Sequence, residues 1–141
     1  MTPEELAKAC AAKMWEQDTA SQALGMVLDH VEAGQARLTM TVTATMANGH
    51  GTCHDGYLFT LADSAFAFAC NTYNQVTVAQ QCSVTFIGPA HAGDRLTAEA
   101  REVSRSGRSG IYDVTITNHH GEKIAEFRGN SRTIKGTILP G

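Results

Sequence analysis

An α+β fold, with an antiparallel sheet of five to six strands wrapped around one long central helix, is what the sequence predicts, and three observations carry it. Residues 57–70 are apolar on every side of a helical wheel and are broken by one ionisable residue, Asp63; a helix apolar all round has to be enclosed. Residues 37–46 alternate strictly, with Leu38, Met40, Val42, Ala44 and Met46 on one face and Arg37 with four threonines on the other, the period of a strand with one buried face. Four further strand-like segments, punctuated by turn residues, follow the helix.

Taken in order, T-P-E-E-L at residues 2–6 reads as a helix start, with Thr2 as cap, Pro3 in the first turn and two acids at the positive end of the dipole. Leu6, Cys10 and Met14 give an i, i+4 stripe, so a peripheral helix spans about 3–17. Residues 24–31, a turn at 32–35 and the alternating strand make a hairpin. The central helix spans about 56–73. Residues 76–86 alternate again and end at Gly88-Pro89. Segments 96–103, 111–117 and 123–134, joined by turns at 106–108 and 118–121, complete a pattern whose spacing indicates an antiparallel meander. The segment from about 24 to 134 forms the core of what reads as a single domain, 1–141.

The 141 residues are 43% hydrophobic and 18% charged, ordinary for a globular protein. The start of the chain lacks the basic, apolar and small-residue succession of a signal peptide, which predicts a cytoplasmic location. The helical run is too short to cross a bilayer. Four separated cysteines read as free thiols in a reducing compartment. A net charge of -3 gives no reason to expect nucleic acid. Residues 1–93 hold three basic and eight acidic side chains while 94–141 hold eight basic and six acidic, so the second part is locally positive and suits a small anionic ligand.

The polar groups gathered at the central helix are Asn48, His54, the Asp55-Gly56 pair and Asp63. Glycines at 49, 51 and 56 let the backbone bend and approach a ligand closely. The first amides of a helix have no intrahelical partner and lie at its positive end, so the N–H groups of Asp55 and Gly56 can form an oxyanion hole. Asp63 lies seven residues beyond Gly56, on the order of 10 Å along the axis at about 1.5 Å per residue. A reacting group must come within about 3 Å. If both ends serve one reaction, Asp63 comes from a second copy, which predicts a dimer with two symmetric sites. The residues alone equally allow Asp63 to satisfy a neighbouring donor and Asp55 to be simply the N-cap. His50, Cys53 and His54 lack a second cluster at zinc-ligand spacing. His119-His120 sits in a turn, and Phe59, Phe66 and Phe68 read as core. No P-loop, dinucleotide fingerprint or serine or cysteine triad is present.

The run N-G-H-G-T-C-H-D-G-Y-L-F-T-L-A-D-S-A-F-A-F-A-C-N, with the later G-D-R-L-T-A-E-A and A-E-F-R-G-N-S-R-T-I, resembles the hotdog-fold acyl-CoA thioesterases, and among them the type found in phenylacetate degradation. The resemblance implies that Asp63 is the catalytic carboxylate, as nucleophile or as general base. It implies further that the amide at the helix start polarises the thioester carbonyl, with Asn48 and His54 positioning substrate and water. The family usually has His-Gly-Gly where this chain has His54-Asp55-Gly56; the backbone amide survives that change. The implied substrate is phenylacetyl-CoA or a ring-hydroxylated derivative, with no metal and no cofactor, in a homo-oligomer that is commonly a dimer of dimers. Gly88 and Pro89, with Arg128, Gly129, Asn130 and Arg132, are the expected border of the pantetheine path. The alternatives are a medium-chain fatty acyl-CoA thioesterase and a non-catalytic acyl-CoA-binding protein of the same fold.

Overall fold

A computed structural model describes residues 1–141. The chain runs α1 (Pro3–Gln17), α2 (Thr19–Ala23), β1 (Val27–Glu32), β2 (Gln35–Thr41), a 3-10 turn (Ala44–Met46), α3 (Asp55–Cys70), β3 (Thr77–Phe86), β4 (Arg95–Ser106), β5 (Ser109–Thr117) and β6 (Lys123–Thr133). Helix α1 opens with a capping box, in which Thr2 Oγ1 accepts from Glu5 N–H while the Glu5 carboxylate accepts from Thr2 N–H.

All six strands form one antiparallel sheet in the order β1-β2-β4-β5-β6-β3. The expected meander is therefore correct for β4, β5 and β6 but not for β3, which it would place beside β4. That edge of β4 is already taken by β2, from Gln35↔Arg101 to Thr41↔Arg95. Strand β3 passes to the far side and pairs with β6, from Thr77↔Thr133 to Phe86↔Ala125. The alternating strand also stops earlier than its pattern, at Thr41. Val42 still exchanges backbone hydrogen bonds with Gly93 and Asp94 just before β4, but the pairing ends there; Ala44 is exposed and the chain turns through Ala44–Met46.

Helix α3 lies across the concave face. Leu58, Leu61, Ala62, Ala65, Phe66, Phe68, Ala69 and Cys70 are buried, whereas Phe59, Thr60, Asp63, Ser64 and Ala67 are only half-covered. Phe66 sits between Tyr112 and Phe127, each 5.7 Å away between ring centroids, and Phe59 meets Phe127 edge-on at 5.5 Å. Such pairs add about 0.5–1.5 kcal/mol each beyond area burial. Gly129 on β6 is what lets Phe66 lie against the sheet: a Cβ there would stand 2.7 Å from the ring. The helix ends at Asn71, whose Nδ2 donates to the Ala67 and Thr77 carbonyls while its Oδ1 accepts from Thr77 N–H. No helix is long and apolar enough to cross a membrane.

The two sheet edges differ in character. Strand β1 is short, carries Asp29, His30 and Glu32, and has a register break between Leu28 and His30, the features that discourage further strand pairing. Strand β3 is ten residues long with neither charge nor proline, and its flank exposes Val78 at 42%, Phe86 at 41% and Ile87 at 52%.

Candidate active site at the central helix

The start of α3 is fixed by the loop before it. Asn48 Oδ1 accepts from His50 N–H, Thr52 N–H and Thr52 Oγ1 at 2.9, 3.3 and 3.1 Å, closing a turn that Gly51 completes with φ of 80°. Cys53 N–H donates to Ala90 O at 2.7 Å and His54 N–H to Met46 O at 2.8 Å, tying the loop to both neighbours. Asn48 thus reaches the site through the backbone it holds. The residue that caps the helix is His54, whose Nδ1 accepts from Gly56 N–H at 3.0 Å; Asp55, expected as the cap, is instead the first helical residue. An imidazole accepting at Nδ1 carries its proton on Nε2 when neutral, so His54 presents a donor outward.

This cap also changes the expected pair of donors. Gly56 N–H is engaged by His54, whereas Asp55 N–H donates to nothing in the chain. One amide is left open at the positive end of α3, where it favours a developing anion. The Asp55 side chain is exposed, and Asp55, Phe86, Gly88 and Pro89 border the same cleft.

Asp63 lies two turns along the helix, on the half-covered side. Its carboxylate has no hydrogen-bond or ion-pair partner in the chain, and burial alone raises its pKa above the usual carboxylate value. It is the one charged side chain in a cleft of about 390 Å3 whose other walls include Met14, Phe66, Ala67, Val76, Val78 and Ile138. Burial likewise raises the nearby Cys82 thiol, and lifts Cys70 to about 12, so neither is a thiolate at neutral pH. No three His, Cys, Asp or Glu side chains gather at metal-binding spacing.

The sequence profile of the Thioesterase superfamily matches residues 50–125, which contain the α3 cap, Asp55 and Asp63. The acyl-coenzyme A thioesterase PaaI of Escherichia coli (strain K12) is 46% identical over 128 residues, 91% of each chain. The chain belongs to the thioesterase superfamily. The structure of the E. coli PaaI protein from the phenylacetic acid degradation operon superposes on this thioesterase with a TM-score of 0.95 and 43% identity, covering 96% of this chain and 99% of that one. A Streptococcus mutans UA159 protein solved with acetyl CoA superposes at a TM-score of 0.76 and 25% identity, covering 79% and 90%. The fold is the hotdog, and the enzyme is a thioester hydrolase.

The thioesterase gathers Asn48, His54, Asp55, Gly56, Gly88 and Pro89 at one end of α3, with Asp63 further along the helix. Arg128, Asn130 and Arg132 are not brought to that cluster. They alternate with the buried Phe127, Gly129 and Ser131, and so lie on the sheet face away from α3. Arg128 is held by Asp113 through two bonds, Nε to Oδ1 at 2.6 Å and Nη2 to Oδ2 at 2.9 Å. Those bonds hold Asp113 below the usual carboxylate range. A depressed acid pKa contributes stability that is present above the unfolded value of about 3.9 and is lost as pH falls through the folded value. Replacing Arg128 by methionine should therefore raise the Asp113 pKa in a carboxyl NMR titration. Because Arg128 is half exposed, solvent screens the pair and the stability change should be small. Three contributors escaped the sequence reading: the His54 cap, the Ala90 carbonyl that anchors Cys53, and Ile138. Only the first had a local signal, since histidine can accept where Ser or Asp usually does.

Proposed function

We propose that this enzyme hydrolyses phenylacetyl-CoA, or its ring-hydroxylated derivatives, to free CoA and the aryl acid, in sites shared between two copies of the chain. The observation that carries the reading is the pairing of one open helix N-terminal amide with one unpartnered, half-buried carboxylate, too far apart on one helix to meet. The Asp55 N–H of one copy receives the thioester carbonyl oxygen as it becomes an oxyanion. Asp63 of the other copy delivers attack on the carbonyl carbon, by its own oxygen or by a water it deprotonates, and the CoA thiolate leaves. A thioester is already activated, so this pair suffices without metal or cofactor. The aryl-acyl class is supported by the phenylacetic acid degradation operon in which the E. coli relative is found, and the CoA portion by that relative's name.

Dimerisation through β3 is supported by the contrast between the two edges: only β3 offers a long, uncharged row of unpaired N–H and C=O groups flanked by exposed apolar side chains. Pairing β3 with its symmetry mate continues the sheet and brings the start of one α3 toward the middle of the other. Whether dimers stack into a tetramer is a separate matter of surface contacts.

Two inactive variants test the shared site. Asp55→Pro deletes the open N–H at the first helical position, where proline is tolerated, and should lower turnover by about 100- to 1000-fold; Asp55→Ala keeps the N–H and serves as control. Asp63→Ala removes the carboxylate. Unfolded and refolded together, the two variants should form heterodimers with one intact site each, recovering about a quarter of wild-type thiol release from phenylacetyl-CoA by random assortment. No recovery from properly dimeric mixtures would place both groups in one chain's site. Equal efficiency on octanoyl-CoA would replace the aryl-specific reading by a medium-chain one.

A further inference from the structure

Residues 134–141 follow the last strand yet stay docked beside the cleft that holds Asp63. Ile134 N–H donates to Val76 O at 2.8 Å and Val76 N–H to Gly136 O at 3.1 Å. Asn74, the only non-glycine residue with positive φ, at 59°, turns its Oδ1 onto two successive amides of the segment, Ile138 N–H at 3.1 Å and Leu139 N–H at 2.9 Å. Thr137 Oγ1 closes the segment on Leu139 O at 2.7 Å. The result is that Ile138, half-buried, stands in the cleft wall with Met14 of α1, while Asp63, Phe66 and Ala67 come from α3, Val78 from β3 and Val76 from the residue just before it.

A group attached to a carbonyl within about 3 Å of the Asp63 carboxylate has this cleft to enter. Its lining is apolar apart from Asp63, Asn71 and Thr77, so it accepts the acyl part of a thioester and not the phosphates of CoA. At about 390 Å3 it is near the small end of ligand pockets, and its extent is set by side chains that do no chemistry. We infer that the docked segment 134–141 is the far wall of the acyl pocket, with Ile138 limiting acyl length and Asn74 holding that wall in place. The inference rests on Asp63 acting at the thioester carbonyl.

The test is kcat/KM on straight-chain acyl-CoAs from butanoyl to dodecanoyl, together with phenylacetyl-CoA, for wild type, Ile138→Ala, Ile138→Trp and Asn74→Gly. Glycine is chosen at 74 because it keeps the positive φ while deleting the acceptor. Ile138→Ala should raise the ratio of long to short acyl groups by about 10-fold, the scale of discrimination that a few methylenes provide in an apolar pocket. Ile138→Trp should shift the optimum the other way, and Asn74→Gly should move it in the same direction as Ile138→Ala. An unchanged profile in both Ile138 variants, with wild-type turnover intact, overturns the inference while leaving Asp63 in its role. Absence of turnover by the wild type on every acyl-CoA overturns the reading of Asp63 and, with it, the pocket.

Discussion

Replacing Asp63 by asparagine is expected to lower thioester hydrolysis by about 100- to 10,000-fold, the range that a positioned acid–base group contributes, while making the folded protein more stable at neutral pH. The two effects have one origin. The Asp63 carboxylate is half-buried without a partner, and burial raises its pKa, so the charged form is the costly one in the folded state. A folded pKa above the unfolded value of about 3.9 means that the contribution to stability is fully present below the unfolded value and is lost as pH rises through the folded value. Wild-type stability should therefore fall across that window on raising pH, and the Asp63→Asn variant should lack that component. For the same reason the acid limb of the kcat/KM profile should lie above an ordinary carboxylate pKa. Urea denaturation of both proteins between pH 4 and 8, with thiol release measured in parallel, checks all three statements. An asparagine variant that turns over normally would remove Asp63 from the mechanism.

Gly129→Ala should destabilise the protein by about 1–3 kcal/mol, the usual cost of forcing one extra carbon into a filled core. The new Cβ would meet three atoms of the Phe66 ring at 2.7–2.8 Å. That ring is 1% exposed and held between Tyr112 and Phe127, so it can yield only by giving up its packing against them. A fall of roughly 5–10 °C in Tm should accompany the change, with a lower urea midpoint and an unchanged slope. A midpoint that stays where it was would mean that Phe66 can tilt, and the close approach of α3 to β6 would need another explanation.

Gly129 also shows where reading the residues in order reaches its limit. In the chain it stands between Arg128 and Asn130, among basic and polar side chains that look like a ligand-binding strand. Its reason for being glycine lies 63 positions earlier, at Phe66, and no local pattern records that. Legible features were those whose cause is local: the Thr2 box that starts α1, the alternation of β2 and β3, the turn-punctuated spacing of β4 to β6, and the all-round apolar character of α3 that forces a sheet to cover it. Also legible was the tension between a helix-start amide and a carboxylate two turns away, from which the expectation of a dimer came. What stayed hidden was decided by competition between distant segments. Strand β3 has no mark directing it to β6 and not β4; occupancy of the β4 edge by β2 decides it. Alternation through Met46 was real, but alternation does not hold a strand together without a partner. At the helix start, Asp and Gly after His made Asp55 look like the cap, while the geometry of the loop turned the imidazole into that role.

The pairing of β3 with β6 has a consequence for how the chain is made. Strand β3 is complete at residue 86 and its partner begins at residue 123. At 5–20 residues per second, synthesis leaves an uncharged ten-residue strand waiting for about 2–7 s before its neighbour emerges. During that interval β4 and β5 are made and extend the β1–β2 hairpin over α3, but the side of the helix that β6 and β3 cover stays open until β6 arrives. The Asn71 amide, clamping both backbone groups of Thr77, is a short-range contact that can form at once and hold the nascent β3 against the helix end. The enzyme's vulnerable moment is thus late in translation, when the segment most able to pair with another chain is also the one still unpaired in its own.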